Sequence, residues 1–296
     1  MSASAVAIGL ALAGELQAPS DPQSIVGGDV VEPGAYPEVV ALRLPGDALC
    51  SGTAVAPNLV LTAAHCIDEL QDFHTVTVER GDRAGTPGIP VASWGYHFAF
   101  RSDPTAMDTH DYAYVVPAEP LPEPFAVPLT TQEDWDEVMQ WDHPVTLVGY
   151  GEQGAGGVSD IKRKVTVPII GFSEEGLEFK AGADGKDTCG GDSGGAAFVT
   201  LADGRRLLAG ITSRGPDPCG SFGFYSVPHP SLCWVRDSTG TDLTARCSSC
   251  DCIDTTPPEL PHDGCGCRNG DAVPTWNWSW SWLCLVLLGR RRRGGD

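Results

Sequence analysis

The sequence predicts an all-β fold, and three observations predict it. Short runs rich in β-branched and aromatic residues recur along the chain. Turn-forming clusters separate them. Glycine (36) and proline (24) are abundant, which favours many short strands and turns over long helices. The runs, in order, are Glu38–Leu44, Thr53–Ala56, Leu59–Ala63, Val76–Glu79, Val145–Val148, Lys164–Ile170, Ala196–Thr200, Leu207–Thr212 and Phe222–Val227. Pro45-Gly46-Asp47, Ala155-Gly156-Gly157, Ala202-Asp203-Gly204 and Pro216-Asp217-Pro218 supply turns between them. Such spacing fits a sandwich or barrels. One short helix is expected over Thr131–Trp141, capped by Thr131, with Asp134 in its first turn. No internal repeat is visible.

Length and charge narrow the function classes. A chain of 296 residues can build one large or two small cores. The formal net charge of −20 argues against a nucleic-acid partner. An acidic field would favour cationic substrates, although the same charge also serves plain solubility. Eleven cysteines exceed the usage of a typical reduced cytosolic protein and point to an oxidising compartment. Their odd number leaves at least one outside any intramolecular disulfide.

Four zones follow: a signal or pro-segment (1–24), a folded body (25–245), a Cys/Pro-rich linker (246–271), and an apolar segment with an arginine-rich tail (272–296). Ala5–Ala13 is apolar, and Ala11-Leu12-Ala13 fits the small-residue pattern before a cleavage point. No Lys or Arg precedes it, so the stretch reads either as a weak export signal or as an apolar leader.

Three segments carry the chemistry. Asp187-Thr188-Cys189-Gly190-Gly191-Asp192-Ser193-Gly194-Gly195 holds a serine in a glycine-rich turn. Glycines let such a turn bend sharply and bring N–H groups close to a substrate oxygen. Leu61-Thr62-Ala63-Ala64-His65-Cys66 places a histidine at the end of an apolar strand. No other histidine has that setting; His97 lies in an aromatic run and reads as a packing residue. Asp111-Tyr112-Ala113-Tyr114-Val115 places an aspartate at the head of another apolar strand. A carboxylate there is costly unless something such as an imidazole N–H bonds to it.

The order His, Asp, Ser, together with Ile25-Val26-Gly27-Gly28 and Gly149-Tyr150-Gly151, resembles the chymotrypsin/trypsin family of serine proteases. The resemblance spans about residues 25–236. It implies two packed antiparallel six-stranded β-barrels with a site between them and no cofactor or metal. It implies that Ser193 is the nucleophile, His65 its general base and acid, and Asp111 the group that orients His65. Backbone N–H groups of Gly191 and Ser193 would form an oxyanion hole, each donor being worth about 3 kcal/mol in the transition state. Asp187 would floor the specificity pocket and select Arg or Lys, with Ser213, Gly215 and Gly223 along its walls. Cleavage before Ile25 would free an α-amino group to pair with Asp192 and order the site. Disulfides Cys50–Cys66 and Cys189–Cys219 are implied as well.

The chain departs from the family pattern at several positions. Ser24, not a basic residue, precedes Ile25, so a separate activating protease is expected. Arg214 stands where the family usually has tryptophan. It could meet acidic groups of a substrate, point to solvent, or pair with Asp187. Lys180 replaces a frequent cysteine, and Ala196 a common proline.

The resemblance fades beyond Trp234. Two C-x-C pairs (Cys250/Cys252 and Cys265/Cys267) with His262 could ligate zinc, but a disulfide-linked or processed linker is preferred, and no metal is expected. Cys233 could pair with Cys247. Trp276, Trp278, Trp280 and Trp282 precede a short apolar stretch and Arg290-Arg291-Arg292-Arg293. Tryptophans suit a membrane interface and arginines a cytoplasmic end. The order resembles C-terminal sorting signals of myxobacterial exported proteins, which implies a tail-processing enzyme and anchoring at Cys265 or Cys267; a plain single-pass anchor gives the same topology. The expected protein is thus an exported, surface-associated trypsin-like endopeptidase acting on proteins or peptides. The alternatives are a non-catalytic surface binding protein of the same fold, or an active protease without Arg/Lys preference.

Overall fold

The computed structural model describes residues 25–103, 105–151, 160–244 and 252–260. Six strands close the first barrel: β2 (Val39–Arg43), β3 (Leu49–Ala56), β4 (Leu59–Thr62), β5 (Thr77–Glu79), β6 (Ile89–Tyr96) and β7 (Ala113–Pro117), in the order β2-β3-β4-β7-β6-β5. Six more close the second: β8 (Pro144–Gly149), β9 (Arg163–Phe172), β10 (Glu178–Ala181), β11 (Ala196–Thr200), β12 (Arg206–Arg214) and β13 (Gly223–Ser226). A two-residue strand, β1 (Asp29–Val30), pairs with β9. All strand pairings between these elements are antiparallel. Of the two all-β architectures the turn spacing allowed, the chain takes barrels.

Period-two patterning drives closure. Along β9 buried residues alternate strictly with more exposed ones, so one face fills the barrel and the other meets solvent or loops. Val40, Leu42, Leu61, Val78 and Val115 fill the first core. Leu147, Val167, Ile169, Phe179 and Val199 fill the second. At roughly 25 cal/mol per Å² of apolar area removed from water, these two interiors dominate the stability of the fold.

Besides the two-residue β1, three elements were not legible in the sequence. β6 contains Pro90 and Gly95, both poor strand residues. β10 is short and carries Glu178 and Lys180. The helix α2 (Leu232–Thr239) ends on Gly240 in the left-handed region (φ 74°). The expected helix forms as α1 (Gln132–Val138), with Thr131 Oγ1 accepting from the Asp134 N–H at 3.2 Å.

The body also reaches further than the expected boundary at residue 245. Residues through Leu260 belong to one compact unit. Ile253 is 6% exposed and sits in the second core. Trp141 Nε1 donates to Pro258 O (3.2 Å), and Asp254 N to Gln132 Oε1 (2.7 Å). The stretch 252–260, expected as linker, is therefore a docked strap, because it offers an apolar side chain and backbone groups that the body can pair. The signal-segment, membrane and sorting readings fall on residues 1–24 and 261–296, outside the described residues; of the cysteines in the zinc reading only Cys252 is described, and it is disulfide-bonded. No helix of the described residues is long and apolar enough to cross a membrane.

Candidate active site

The site lies where the barrels meet. From the first barrel, β4 runs into a 3-10 turn (Ala64–Cys66) that presents His65. The loop before β7 presents Asp111, 3% exposed. His65 Nδ1 lies 2.8 Å from Asp111 Oδ2, and the His65 backbone N–H donates to Asp111 Oδ1 at 3.0 Å. Ser213 Oγ donates to Asp111 Oδ2 at 2.6 Å. The carboxylate thus holds the ring by both its side chain and its main chain, and selects the tautomer with the proton on Nδ1.

The electrostatics follow from this geometry. Burial disfavours the charged imidazole, but the hydrogen bond and charge of Asp111 outweigh it, so the His65 pKa lies above its usual value. Asp68 adds to the rise and Arg214 opposes it. Burial likewise pushes Asp111 up, yet its bonds to His65 and Ser213 hold its carboxyl below the usual range.

The second barrel supplies the serine turn. Gly191 adopts φ 86° and Gly194 φ 81°. The N–H groups of Asp192, Gly194 and Gly195 bond to Cys189 O, Thr212 O and Asp192 O. Among the described residues the N–H groups of Gly191 and Ser193 bond to no acceptor of the chain, so both are available to an oxygen in the cleft. Ser193 is placed by its backbone: its carbonyl accepts from Ser51 N at 2.8 Å, beside the Cys50–Cys66 disulfide. Ser193 Oγ makes no hydrogen bond to His65 among the described residues. Catalytic contacts of this kind often tighten only with substrate bound.

Ser51, on β3, was missed by sequence reasoning and is central. Its Oγ donates to Gly191 O (3.0 Å) and accepts from Tyr150 N (3.0 Å). One buried hydroxyl in the first barrel thereby fixes the serine turn and the Gly149-Tyr150-Gly151 segment of the second. Nothing in its sequence context, Leu-Cys-Ser-Gly-Thr, marks it as different from an ordinary strand serine.

Asp192 is 0% exposed. Gly151 N and Cys189 N donate to its carboxylate at 2.7 and 3.0 Å. A methyl group at Gly149 or Gly151 would lie 2.3–2.4 Å from that carboxylate, which explains the glycines of that motif. Burial pushes the Asp192 pKa to about 7. Ile25, also fully buried, packs in the second core, and Val26 bridges to Asp187.

Asp187 sits between the two expected wall glycines. A methyl at Gly223 would lie 3.1 Å from its Oδ1, and one at Gly215 would lie 3.6 Å from its Oδ2. Thr188 N donates to it at 2.7 Å. Burial raises its pKa, against the hydrogen bonds. A cavity of about 390 Å³ opens above, lined by residues including Thr188, Gly190, Ser193, Ser213 and Gly215. The Cys189–Cys219 disulfide flanks it. Cys233 and Cys252 are disulfide-bonded too, and Cys247 lies outside the described residues.

The structure corrects the reading of Arg214. The side chain is only 14% exposed and does not pair with Asp187. It forms a two-pronged ion pair with Glu178, Nη1–Oε1 and Nη2–Oε2 both at 2.8 Å, and lies over the Phe224 ring at 4.4 Å. A buried carboxylate on β10 and a planar guanidinium on β12 satisfy one another better than either could in the cavity. Glu178 was not singled out in the sequence. The segment that carries it was not among the expected strands, so nothing in the sequence marked it. Lys180, where a cysteine is common, instead lies over Phe222 and Phe224, 4.6 and 5.1 Å from the ring centres.

A family model described as Trypsin matches residues 25–232. Similar proteins include the venom peptide isomerase heavy chain of Agelenopsis aperta, 27% identical over 66% of this chain and 90% of that protein. Coagulation factor XII of Cavia porcellus is 29% identical over 73% of this chain and 41% of that protein. Serine protease 56 of Homo sapiens is 34% identical over 79% and 42%, respectively. The chain thus spans about two fifths of the length of the latter two relatives.

Proposed function

The chain belongs to the trypsin family, and from that premise we propose that it is a serine endopeptidase that cleaves protein or peptide substrates through an acyl-enzyme. The observation that carries the reading is the grip of Asp111 on His65, set beside a serine turn with two N–H donors left available. With the Nδ1 proton directed at Asp111, His65 Nε2 is the basic nitrogen. Ser193 Oγ attacks the scissile carbonyl while Nε2 takes its proton, and the ring returns that proton to the leaving amine. The oxyanion formed on attack takes the N–H groups of Gly191 and Ser193. Water then opens the ester by the same route.

Cleavage after Arg or Lys is the preference we infer. Arg214 is engaged by Glu178, so no ion pair among the described residues occupies Asp187. A cationic side chain reaching that fully buried carboxylate would gain a partner in a low-dielectric pocket. A second reading, a protease indifferent to charge at this position, draws on one observation: Asp187 does not line the cavity surface. Activation by cleavage before Ile25, with the new α-amino group pairing with Asp192, is supported by the burial of both residues. Export is supported by the disulfides. Surface attachment through residues 261–296 remains part of the proposal.

Protein with Ile25 as its verified N-terminus tests these readings. An active-site serine reagent should label it, and Ser193→Ala should abolish labelling and lower peptide cleavage by roughly 10⁶-fold. Absence of labelling in the processed protein would refute the enzyme and leave a non-catalytic binding protein. Products are read by mass, since one relative is named a peptide isomerase. Asp187→Asn should reduce kcat/KM for Arg and Lys substrates by about a hundredfold or more; an unchanged peptide-library profile would favour the charge-indifferent reading.

A further inference from the structure

Arg214 does more than neutralise Glu178. Its Nη1 also donates to Ser213 Oγ at 3.2 Å, and that hydroxyl donates in turn to Asp111 Oδ2 at 2.6 Å. Its Nη2 donates to Ala106 O at 2.6 Å. Glu178 in turn accepts from Asp108 N (3.1 Å), Thr109 N (3.3 Å) and Thr109 Oγ1 (2.7 Å). The pair therefore grips residues 106–109, immediately ahead of Asp111. This stretch needs gripping, because Asp108 and His110 both adopt φ 54°, a left-handed conformation that costs non-glycine residues free energy. β12 contributes a second device: its register against β13 slips by one residue between Thr212 and Arg214. Such a bulge re-aims side chains, and the residue inside it is Ser213.

We propose that Arg214 and Glu178 are a positioning pair for the Asp111–His65 couple, fixing Ser213 and the loop before Asp111 and setting the charge balance against which His65 takes up its proton. The inference rests on the triad reading above, but its readout does not require hydrolysis. Donation from Arg214 polarises the Ser213 hydroxyl and strengthens its bond to Asp111. The guanidinium side chain is 14% exposed and Glu178 1%, so solvent screens their charges little. Other charged groups also face His65. Asp111 lies ahead of β7, and Asp68 follows the histidine turn. Arg101 and Asp103, on the loop after β6, line a cavity of about 290 Å³ that His65 shares with Arg214. The serine turn carries two buried carboxylates, Asp187 and Asp192; the charges that act on His65 are those of Asp111, Asp68 and Arg214. Arg101 and Asp103 are exposed and opposite in sign, so they largely offset one another; Arg214 is the less exposed of the two cations.

The test is the titration of the His65 ring by NMR in the full protein. Arg214→Gln removes the cation and leaves Glu178 charged, so the His65 pKa should rise. Glu178→Gln leaves the cation uncompensated, so it should fall. Arg214→Gln/Glu178→Gln restores neutrality and should bring the pKa back towards the parent value. A pair that served structure alone would loosen Asp111 in both single variants and move the pKa the same way; that result, or no shift in either, overturns the proposal. Arg214→Lys keeps the charge without the two-pronged fork. It should leave the His65 pKa near the parent value while kcat falls about tenfold or more and KM changes little. Should a single variant fail to fold, the neutral double variant decides: an unchanged kcat there overturns the positioning role. Opposite pKa shifts in a protein that cleaves no peptide would sustain the coupling and refute the hydrolytic function instead.

Discussion

A carboxylate with no cation facing it is a liability at the residue scale, and among the described residues none faces Asp192. In a chain where Ile25 is still joined to Ser24, burial raises its pKa to about 7. The folded state then binds a proton more tightly than the unfolded state, whose value is near 4. The stabilisation is complete below pH 4 and is lost as pH rises through 7, a change of roughly 4 kcal/mol. Urea melts of the uncleaved protein from pH 4 to 8 should show this decline, and Asp192→Asn should flatten it. An equal slope in the variant would mean that Asp192 is not the titrating group. Once Ile25 is freed, an α-amino cation beside the carboxylate should hold its pKa down, so that the decline between pH 4 and 7 disappears in the cleaved protein and stability is instead lost as pH falls below about 4. The sequence motif identified Asp192, but not the reason for its two glycine neighbours, which is the space the carboxylate needs.

At the scale of elements, the serine turn is held by backbone packing that no side-chain pattern encodes. Gly194 has φ 81°, and a methyl there would lie 2.1 Å from Thr62 Oγ1 and 2.2 Å from Ser51 O. Gly204 has a similar φ of 87° but open space around it. Gly194→Ala should therefore cost about 3 kcal/mol or more, combining a left-handed alanine with a clash against a fixed strand. Gly204→Ala should cost only about 1–2 kcal/mol. Thermal melts of the two variants measure the gap, and similar losses would show that the β3–turn contact is looser than described. The strands themselves were legible where β-branched runs are bounded by turns. β6 and β10 were not, because proline and charged residues in a strand are tolerated only through tertiary pairing. Ser51 and Glu178 went unrecognised for the same reason: their partners lie 140 and 36 residues away in sequence.

At the scale of the whole body, the described residues end in a strap that returns over the second barrel. Ile253 anchors it in the core that also holds Trp135 and Val138 of α1. Ile253→Ala should lower stability by about 2 kcal/mol, read as a lower midpoint in urea; a neutral effect would show that the strap is held by the Cys252 disulfide and its hydrogen bonds and not by Ile253. The domain boundary was misplaced in the sequence because residues 252–260 have a linker's composition. Ile253, beside Cys252, marks their docking, and its meaning depends on a core built from distant strands. The order of His65, Asp111 and Ser193 was legible because their chemistry requires those residue types. The barrel interface that brings their segments together was available only through family resemblance.

The Arg214–Glu178 pair also constrains how this sequence can change over generations. Substituting either member first leaves a buried charge without its counterion, a loss of about 3–5 kcal/mol against the total of about 5–15 kcal/mol typical of a domain. Most lineages could not cross that step one substitution at a time. The two positions, 36 residues apart, should therefore be inherited as a unit, and descendants of this chain that lack the arginine should also lack the glutamate.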